Sequence, residues 1–404
     1  MEKRLLFLSH RIPYPPNKGD KIRSFHILKR LAREYRISLG AFVDDPADWR
    51  YREELSRWCD DLCLVKLDPR LGRMRSLAGL VTGEALSLPY FRSRRLHGWV
   101  RRNLRKGIDV ALIFSSPMAQ YLMGEAARCP MVVDFVDVDS RKWMDYGERH
   151  RGIPGWIYRR EGRRLLDFER RVAEYAGVGV FVSEAEARLF HACAGDLNAR
   201  VHAVENGVDT DFFSPRHDFG SPFEEDVAPL VFTGAMDYWA NQDAVVWFAR
   251  EVFPAIRDAV PRARFWIVGA RPGDEVRRLE QMEGVHVTGA VDDVRPYLAH
   301  AVAAVAPLRV ARGIQNKVLE AMAMGRPVLA TPAAYEGIRD GGRFSSLTAD
   351  TPRELAAKAV RLLREGDQRE LGEEGRRLVC EEYGWEARLQ PLVELLRQAG
   401  AEGA

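Results

Sequence analysis

The 404-residue sequence has few cysteines, and their positions exclude two classes of protein. Cys59, Cys63, Cys129, Cys193 and Cys380 are odd in number and mostly far apart, which argues against the disulfide framework of a secreted domain. Cys59 and Cys63 lie four residues apart, but no second pair of cysteines or histidines stands near them. We therefore expect buried thiols at these positions and no zinc site.

Long apolar segments are also missing. No run approaches the roughly 18 apolar residues that a membrane-spanning helix requires. Near the N-terminus only Leu5–Leu8 is continuously apolar, which is shorter than the core of a signal peptide. We expect a cytoplasmic protein, and the sequence leaves open whether it binds peripherally to the inner face of the cell membrane.

The net charge is only +3, although 61 residues are Lys or Arg and just 9 of these are Lys. Such a balance argues against a dedicated nucleic-acid-binding protein and against a mostly disordered chain. The segment Arg92–Lys106 nevertheless holds seven basic and no acidic residues, interleaved with Leu96, Trp99 and Leu104. Trp156–Arg171 is also rich in arginine and contains aromatic residues. Two interpretations remain: contact with anionic lipid headgroups, or a solvated helix face.

Short apolar runs alternate with amphipathic stretches along the whole chain, which predicts parallel sheets covered by helices on both faces. The predicted strands of the first half are Leu5–Ser9, Ile37–Val43, Leu62–Leu67, Val110–Phe114, Met131–Phe135 and Val178–Val182. Those of the second half are Leu230–Thr233, Arg264–Val268, Val285–Val287, Ala303–Ala306 and Pro327–Ala330. The fold class is therefore α/β, with two doubly wound domains facing a cleft.

Periodicity is lost in a stretch dense in turn formers and charges, which divides the two halves. We place a first domain at residues 1–205, a linker at 206–229 and a second domain at 230–383. The C-terminal helix over 384–404 is expected to pack back on the first domain. Ligands of such sheets bind beyond the carboxyl ends of the strands.

The segment Pro307–Thr331 carries the strongest chemical signal. It predicts a loop, a helix that stops at Gly325, and a strand. Asn316, Lys317 and Glu320 share one face of that helix, while Val318, Leu319, Met322 and Ala323 lie on the other and can pack on the sheet. A helix N-terminus with a lysine suits a phosphate. The competing interpretation is a surface helix with a Glu–Lys pair.

This segment resembles the signature of glycosyltransferase family 4, retaining enzymes with the GT-B fold of two Rossmann-like domains. The resemblance extends over the chain, through ENGVDTDFFSP at Glu205–Pro215 and through VFTGAMDYWANQDAVVWF, FWIVGARPG and VTGAVDDVRPYLAHA. It is similar in particular to sugar transferases of exopolysaccharide and exosortase-associated systems. Three segments carry the similarity to these sugar transferases: HRIPYPPNKGDKIRSFH at His10–His26, VDFVDVDSRKW at Val133–Trp143, and PLRVARGIQNKVLEAMA.

The resemblance implies a site for a nucleoside-diphosphate sugar and a glycan or lipid-linked acceptor. Glu320 would hold the ribose, and Gly313 and Ile314 would offer backbone N–H groups. Lys317 and Arg309 would bind the diphosphate. Gly234 and Gly19 would let backbone approach the phosphates from the two domains. Asn316 shares the polar helix face and joins this donor set.

Two departures from the family pattern bear on the donor site. Arg312 stands eight residues before Glu320, where the family has its first Glu, which contacts the donor sugar. The basic residue usual shortly after Gly234 is missing as well. Phosphate neutralisation is therefore assigned to Arg309, Arg312 or Lys317 without a ranking.

On the acceptor side, acidic residues follow a predicted strand at Asp134, Asp137 and Asp139. The resemblance implies that Asp137 orients the acceptor hydroxyl, with Asp139 and His10 beside it, and that no metal or other cofactor is needed. Alternatives for Asp137 and Asp139 are a metal site or loop capping, and for His10 a structural role.

The family's mechanism is front-face, so Lys317, Glu320 and Asp137 would position groups and stabilise charge rather than attack. Two other functions stay open. The departure at Arg312 allows a non-catalytic nucleotide-sugar-binding subunit. A GT-B-fold nucleotide-sugar epimerase has less support, because the acidic and histidine residues that such enzymes need are not recognisable.

Overall fold

The computed structural model describes residues 3–125, 129–311, 314–365 and 369–402. The chain divides into two compact units. The first consists of Met1–Asn206 with Arg388–Ala404, and the second of Gly207–Ala387. Each unit has its own apolar core around its own sheet.

The first unit contains a parallel seven-stranded sheet in the order β3-β2-β1-β4-β5-β6-β7. The strands are β1 (Lys3–Ser9), β2 (Tyr35–Val43), β3 (Asp61–Lys66), β4 (Val110–Phe114), β5 (Met131–Val136), β6 (Val178–Phe181) and β7 (Arg200–Ala203). Nearly continuous apolar runs form the central strands because both faces of the sheet are covered. In β4, for example, all five residues are buried.

Helices cover this sheet. They are α1 (Gly19–Leu31), α2 (Arg52–Leu55), α3 (Pro69–Ser76), α4 (Ala78–Thr82), α5 (Ser87–Tyr90), α6 (Arg94–Arg105), α7 (Asp139–Arg149), α8 (Gly152–Ala176) and α9 (Glu184–Ala194), with 3-10 turns at Pro46–Tyr51 and Ser116–Tyr121. Local sequence sets their ends. Ser183 caps α9 by accepting from the Glu186 N–H, and Gly177 ends α8 in the left-handed region at φ 71°.

The second unit repeats the plan with a parallel five-stranded sheet in the order β10-β9-β8-β11-β12. The strands are β8 (Ala228–Thr233), β9 (Ala263–Val268), β10 (Val285–Gly289), β11 (Ala303–Ala306) and β12 (Val328–Ala330). The helices are α10 (Trp239–Trp247), α11 (Phe253–Ala259), α12 (Asp274–Arg278), α13 (Arg295–His300), α14 (Asn316–Ala323), α15 (Pro332–Tyr335), α16 (Pro352–Glu365) and α17 (Arg369–Leu378). The last helix, α18 (Trp385–Glu402), begins in the second unit and belongs to the first unit from Arg388 onwards. π-Helical turns at Phe248–Val252 and Val379–Tyr383 precede α11 and α18, and 3-10 turns lie at Leu279–Gln281 and Ser345–Leu347.

The strand prediction is confirmed for all eleven predicted segments, but it missed β7. Its sequence RVHA is only half-buried at the sheet edge, so it lacks the apolar run that marks the other strands. The boundary between the units falls after Asn206, and β8 already begins at Ala228. From Arg388 onwards the C-terminal helix α18 is part of the first unit, where Arg388 donates to Glu205 and Arg397 donates to Glu34.

Several surface features bear on the sequence interpretation. All five cysteines are free, with Cys63 buried and Cys59 half-buried. The basic segment Arg92–Lys106 includes α6, whose Leu96 and Trp99 are buried in the core, so that it presents chiefly charged side chains to solvent. Among the described helices, none is both long enough and apolar enough to cross a bilayer.

Candidate functional site

The order of each sheet identifies where a ligand can bind. In the first unit β1 lies between β2 and β4, and in the second unit β8 lies between β9 and β11. The strand order therefore reverses direction between β1 and β4 and between β8 and β11. The loops beyond the carboxyl ends of such strands diverge and leave a crevice. Gly234 directly follows β8, Arg309 follows β11, and His10 and Ser115 follow β1 and β4.

In the second unit, two glycines let the loops after β8 and β9 touch. A Cβ on Gly269 would lie 1.7 Å from the Gly234 carbonyl oxygen, so any side chain there would force the loops apart. A Cβ on Gly234 would lie 2.8 Å from Asn241 Nδ2 and 3.2 Å from Lys317 Nζ. The loop backbone is thereby held directly against the Lys317 ammonium group.

Lys317 is held by the side chains of Asn241 and Phe232, beside the Gly234 loop. Its ammonium donates to Asn241 Oδ1 at 2.5 Å and lies 4.0 Å from the centre of the Phe232 ring. Asn241 is buried in the first turn of α10 and donates its side-chain N–H to the Ala235 carbonyl at 2.8 Å. Sequence analysis missed Asn241; its position in the first turn of the helix after β8 is the signal that could have indicated it.

Glu320 lies one turn beyond Lys317 on α14, and the two groups perturb each other. Burial lowers the pKa of Lys317 to about 7, although the negative charge of Glu320 opposes this shift. Burial likewise raises the pKa of Glu320 to about 7 against the charge of Lys317. The opposite face of α14 buries Val318, Leu319 and Met322 as predicted. An anion arriving at Lys317 would favour its charged form.

The other predicted donor residues differ in their surroundings. The Arg309 guanidinium forms a two-point ion pair with Asp243 on α10, which raises the pKa of Arg309. Asn316 begins α14 and is exposed, and Ile314 is half-buried just before it. Arg312 and Gly313 lie outside the described residues.

In the first unit a cavity of about 370 Å³ opens at the carboxyl edge of the sheet. It brings together the predicted residues His10, Asp137 and Asp139. Its lining is completed by Asp20, Ser87, Phe91, Ser115, Pro117, Phe135, Val136, Lys142, Trp143, Tyr146 and Leu165. Gly19 begins α1 next to Asp20 but does not line the cavity, and a Cβ added to it would meet no atom within 4 Å.

His10 is held by aromatic packing and one carboxylate. Its ring stacks on Phe114 at 5.7 Å, and Nε2 lies 3.3 Å from Asp20 Oδ2. Nδ1 is buried, with no hydrogen-bond partner in the described part of the chain. Burial raises the pKa of Asp20, but the His10 hydrogen bond and the charge of Arg11, 2.5 Å away, hold that pKa well below its usual range.

The three acidic residues in and after β5 have different surroundings. Lys142 donates to Asp137 at 2.7 Å and to Asp139 at 3.1 Å, so both carboxylates face the cavity partly neutralised. Asp134 is fully buried and accepts from Arg23 Nε at 2.8 Å, which makes it structural. Over the residues that the structure describes, no group of three His, Cys, Asp or Glu side chains is arranged to hold a metal ion.

Two residues of this cavity have strained backbone. Ser115 has φ 75° and Val136 has φ 68°, in the left-handed region that a β-branched residue rarely adopts. Each costs on the order of 1–3 kcal/mol. The Val136 conformation is supported by its N–H, which donates to Asp134 Oδ1 at 3.0 Å.

Comparison with known proteins agrees with this geometry. Residues 228–365, which contain Gly234, Asn241, Lys317 and Glu320, match the family described as glycosyl transferases group 1. No curated protein sequence matches the chain.

Solved structures extend the likeness to almost the whole chain. HepE of Anabaena in complex with UDP has a TM-score of 0.60 at 16% identity, covering 98% of this chain and 100% of that one. A glycosyltransferase from Rickettsia africae has a TM-score of 0.61 at 12% identity, covering 98% of each chain. HepE is also known in complex with UDP-glucose, with a TM-score of 0.56 at 15% identity and coverage of 98% and 99%. The fold is therefore that of the GT-B glycosyltransferases.

Proposed function

We propose that the protein is a retaining glycosyltransferase of family 4 and of hexosyltransferase type. It would move a sugar from a nucleoside-diphosphate sugar to a glycan or lipid-linked acceptor in the synthesis of exopolysaccharide or another cell-surface polysaccharide. One observation carries the proposal. The Lys317 ammonium is fixed against the Gly234 loop at the β8/β11 crevice, inside the region that matches a glycosyltransferase family.

The donor side follows from charge and hydrogen-bonding capacity. A diphosphate beside Lys317 supplies the negative charge that the buried ammonium lacks. Glu320 accepts hydrogen bonds from the ribose hydroxyls, and the first N–H groups of α14, at Asn316 and Lys317, face the phosphates. Ile314 adds backbone contacts. Support for a uridine nucleotide comes from the UDP and UDP-glucose complexes of HepE.

The acceptor occupies the cavity of the first unit. Asp137 orients the attacking hydroxyl, Asp139 and Lys142 set the local charge, and His10 closes the inner end. In the front-face reaction the bond from the sugar carbon to the diphosphate breaks. A bond from that carbon to the acceptor oxygen forms on the same face, and the proton passes to a diphosphate oxygen. The protein positions the reactants and stabilises charge, and the proposal includes neither metal nor other cofactor.

The cellular location that we propose for the protein follows from the kind of acceptor it would use. A lipid-linked acceptor would be met at the inner face of the cell membrane, so we propose a cytoplasmic protein in peripheral contact with anionic lipids. The exposed charges of the Arg92–Lys106 segment are available for that contact.

Transfer from UDP-glucose and related donors to a lipid extract tests the function. We expect Glu320→Ala and Lys317→Ala each to reduce transfer by about a hundredfold or more, because Glu320 positions the donor through its ribose and Lys317 stabilises the charge that develops on the diphosphate. Glu354→Ala, an exposed residue of α16, serves as the matched control and should leave transfer unchanged. NMR of the product would give the anomeric configuration.

Two outcomes would replace the proposal. UDP binding without turnover on any acceptor would indicate the non-catalytic nucleotide-sugar-binding subunit. Conversion of the donor into an isomeric nucleotide sugar without transfer would indicate the epimerase.

A further inference from the structure

An unusual group of exposed apolar side chains lies on α3 and α4 in the first unit. Leu71, Met74, Leu77 and Val81 are 56% to 91% exposed, and Leu80 is 37% exposed. These five residues, called the α3–α4 surface below, fall within eleven consecutive positions. Single exposed apolar residues are ordinary, but a contiguous group of this kind marks an interaction surface.

The charges around the α3–α4 surface are almost all positive. Lys66, Arg70, Arg73 and Arg75 are exposed among these apolar side chains. In the segment 66–82 the single acidic residue is Asp68, which is used to cap α3 by accepting from the N–H groups of Arg70 and Leu71. Apolar side chains flanked by arginines match the boundary between anionic headgroups and acyl chains.

The backbone beneath this surface is firmly anchored. Arg160 of α8 donates to the Gly79 carbonyl at 2.6 Å and to the Glu84 carbonyl at 3.1 Å. The buried carboxylate of Glu161 accepts from the N–H groups of Leu86 and Ser87 at 2.5 and 3.0 Å. The apolar side chains therefore point outwards from a segment that is itself packed and hydrogen-bonded.

The same part of α8 extends the apolar surface towards the acceptor cavity. Trp156, one turn before Arg160, is 51% exposed, and Ile153 is 75% exposed. Ser87, whose hydroxyl donates to Glu161 at 2.6 Å, lines the cavity, as does the half-exposed Tyr146. Tryptophan is favoured at the membrane interface because its ring is apolar and its N–H is polar.

We propose that the α3–α4 surface, together with Ile153 and Trp156, inserts into the interface of an anionic bilayer. Insertion brings the cavity of the first unit to the membrane, where the sugar end of a lipid-linked acceptor is found. The assignment of the acceptor rests on the proposed function, but the membrane contact stands on the exposed residues alone. Helix α6 differs from the α3–α4 surface in what it exposes. Its Leu96, Trp99 and Val100 are buried, so only its charged side chains can contact lipid.

Co-sedimentation of the full chain with vesicles tests the proposal. Vesicles of phosphatidylcholine with about 30% phosphatidylglycerol, an anionic lipid, are compared with phosphatidylcholine alone. The test variant replaces Leu71, Met74, Leu77 and Val81 by serine. The matched control replaces Arg278, Arg343 and Arg353 of the second unit by glutamine, which removes exposed positive charge and no apolar contact.

We expect the wild type to bind anionic vesicles at least tenfold more tightly than neutral ones. The serine variant should lose at least tenfold of that binding, and the second-unit arginine variant no more than threefold. Wild-type binding by the serine variant, or no binding by the wild type, overturns the proposal. Equal binding to both vesicles overturns the requirement for anionic lipid.

A readout of folding and of nucleotide binding separates the two proposals. The serine variant should keep the wild-type circular dichroism spectrum and UDP affinity, since its substitutions are on the surface of the first unit. Vesicle binding without sugar transfer to any acceptor would contradict the proposed function and leave the membrane contact intact.

Discussion

Replacing Lys317 by methionine should stabilise the nucleotide-free protein while it abolishes nucleotide binding. Methionine keeps the length and apolar stem of lysine but removes an ammonium group that is surrounded by Phe232, Asn241 and the Gly234 loop. Burial holds the pKa of that group at about 7 against an ordinary value of 10.5. The folded protein therefore keeps this charged group at a cost in free energy, and a bound diphosphate would offset that cost. The substitution removes the charged group and with it the cost.

The magnitude follows from the pKa. The pKa of Lys317 is about 7 in the folded chain and 10.5 in the unfolded chain. This difference corresponds to a free-energy cost of about 5 kcal/mol for keeping the ammonium group charged in the folded protein. The variant leaves Asn241 Oδ1 without its donor, which costs about 1–3 kcal/mol, and loses the contact with Phe232, about 1 kcal/mol. We therefore expect the free energy of unfolding to rise by about 2 kcal/mol at pH 7, on the order of 4–8 °C in Tm.

The gain should depend on pH in a specific direction. The folded-state pKa of Lys317 is lowered, so the cost is complete below pH 7 and disappears as the pH rises towards 10.5. The stability of the wild type relative to the variant should improve by about 1.4 kcal/mol per pH unit above pH 7, and the two should become equal at about pH 8.5. Glu320, with its pKa at about 7, contributes a constant amount over most of this window.

Urea unfolding at pH 7 and pH 9, with and without UDP, measures both effects. Lys106→Met, at an exposed position, is the control and should show neither. A variant that is less stable than the wild type at pH 7, or a difference that does not change with pH, would refute the argument. Full stabilisation of the variant by UDP would show that the nucleotide does not contact Lys317.

Three further predictions concern single positions. Gly234→Ala should weaken UDP binding at least tenfold and lower stability by about 1–3 kcal/mol, because its Cβ would meet Asn241 at 2.8 Å; a titration and an unfolding curve would show it. Burial raises the pKa of Glu169 on α8 to about 8, so this group contributes a fall in wild-type stability from pH 5 to pH 8, and Glu169→Gln should make the fall shallower in urea unfolding while the part due to Glu320 remains. Asp243→Asn should tighten UDP binding severalfold, because it releases Arg309 from its ion pair; unchanged affinity in calorimetry would exclude Arg309 from the diphosphate site.

The sequence predicted the two sheets well because their strands are buried on both faces. A short, continuous apolar run such as that of β4 is typical of a buried strand when amphipathic segments precede and follow it. The edge strand β7 lacks such a run, and pairing with β6 forms it instead. Its hydrogen bonds come from a neighbour about twenty residues away, which local pattern does not reveal.

The candidate site was predictable where one helix carries it and less so where separate loops meet. Lys317 and Glu320 share a face of α14, so their spacing is visible in the sequence. The site also includes Asn241, Gly269 and Asp243. They are brought near Lys317 and Glu320 only by the way β8, β9 and the helices that follow them are arranged in space. The pairing of Arg309 with Asp243 likewise depends on that arrangement.

Exposure was the least predictable property. The residues of α6 follow a basic amphipathic pattern that suits lipid, yet Trp99 and Val100 pack into the core. The α3–α4 surface was not singled out, because its apolar residues resemble those of any short buried helix. Burial is decided by what the rest of the chain packs against each helix, and periodicity alone does not contain that information.

The central claim is that the second unit binds a nucleoside diphosphate through Lys317 and Glu320. A thermal-shift series with UDP, GDP, ADP, CMP and dTDP on the wild type and on Glu320→Ala tests it most directly. A ligand at about 100 times its Kd stabilises a fold by about 2.7 kcal/mol. We predict that one diphosphate shifts the wild type and fails to shift Glu320→Ala, while Glu354→Ala behaves as the wild type. Equal shifts in the wild type and Glu320→Ala, or no shift with any nucleotide, would contradict the account.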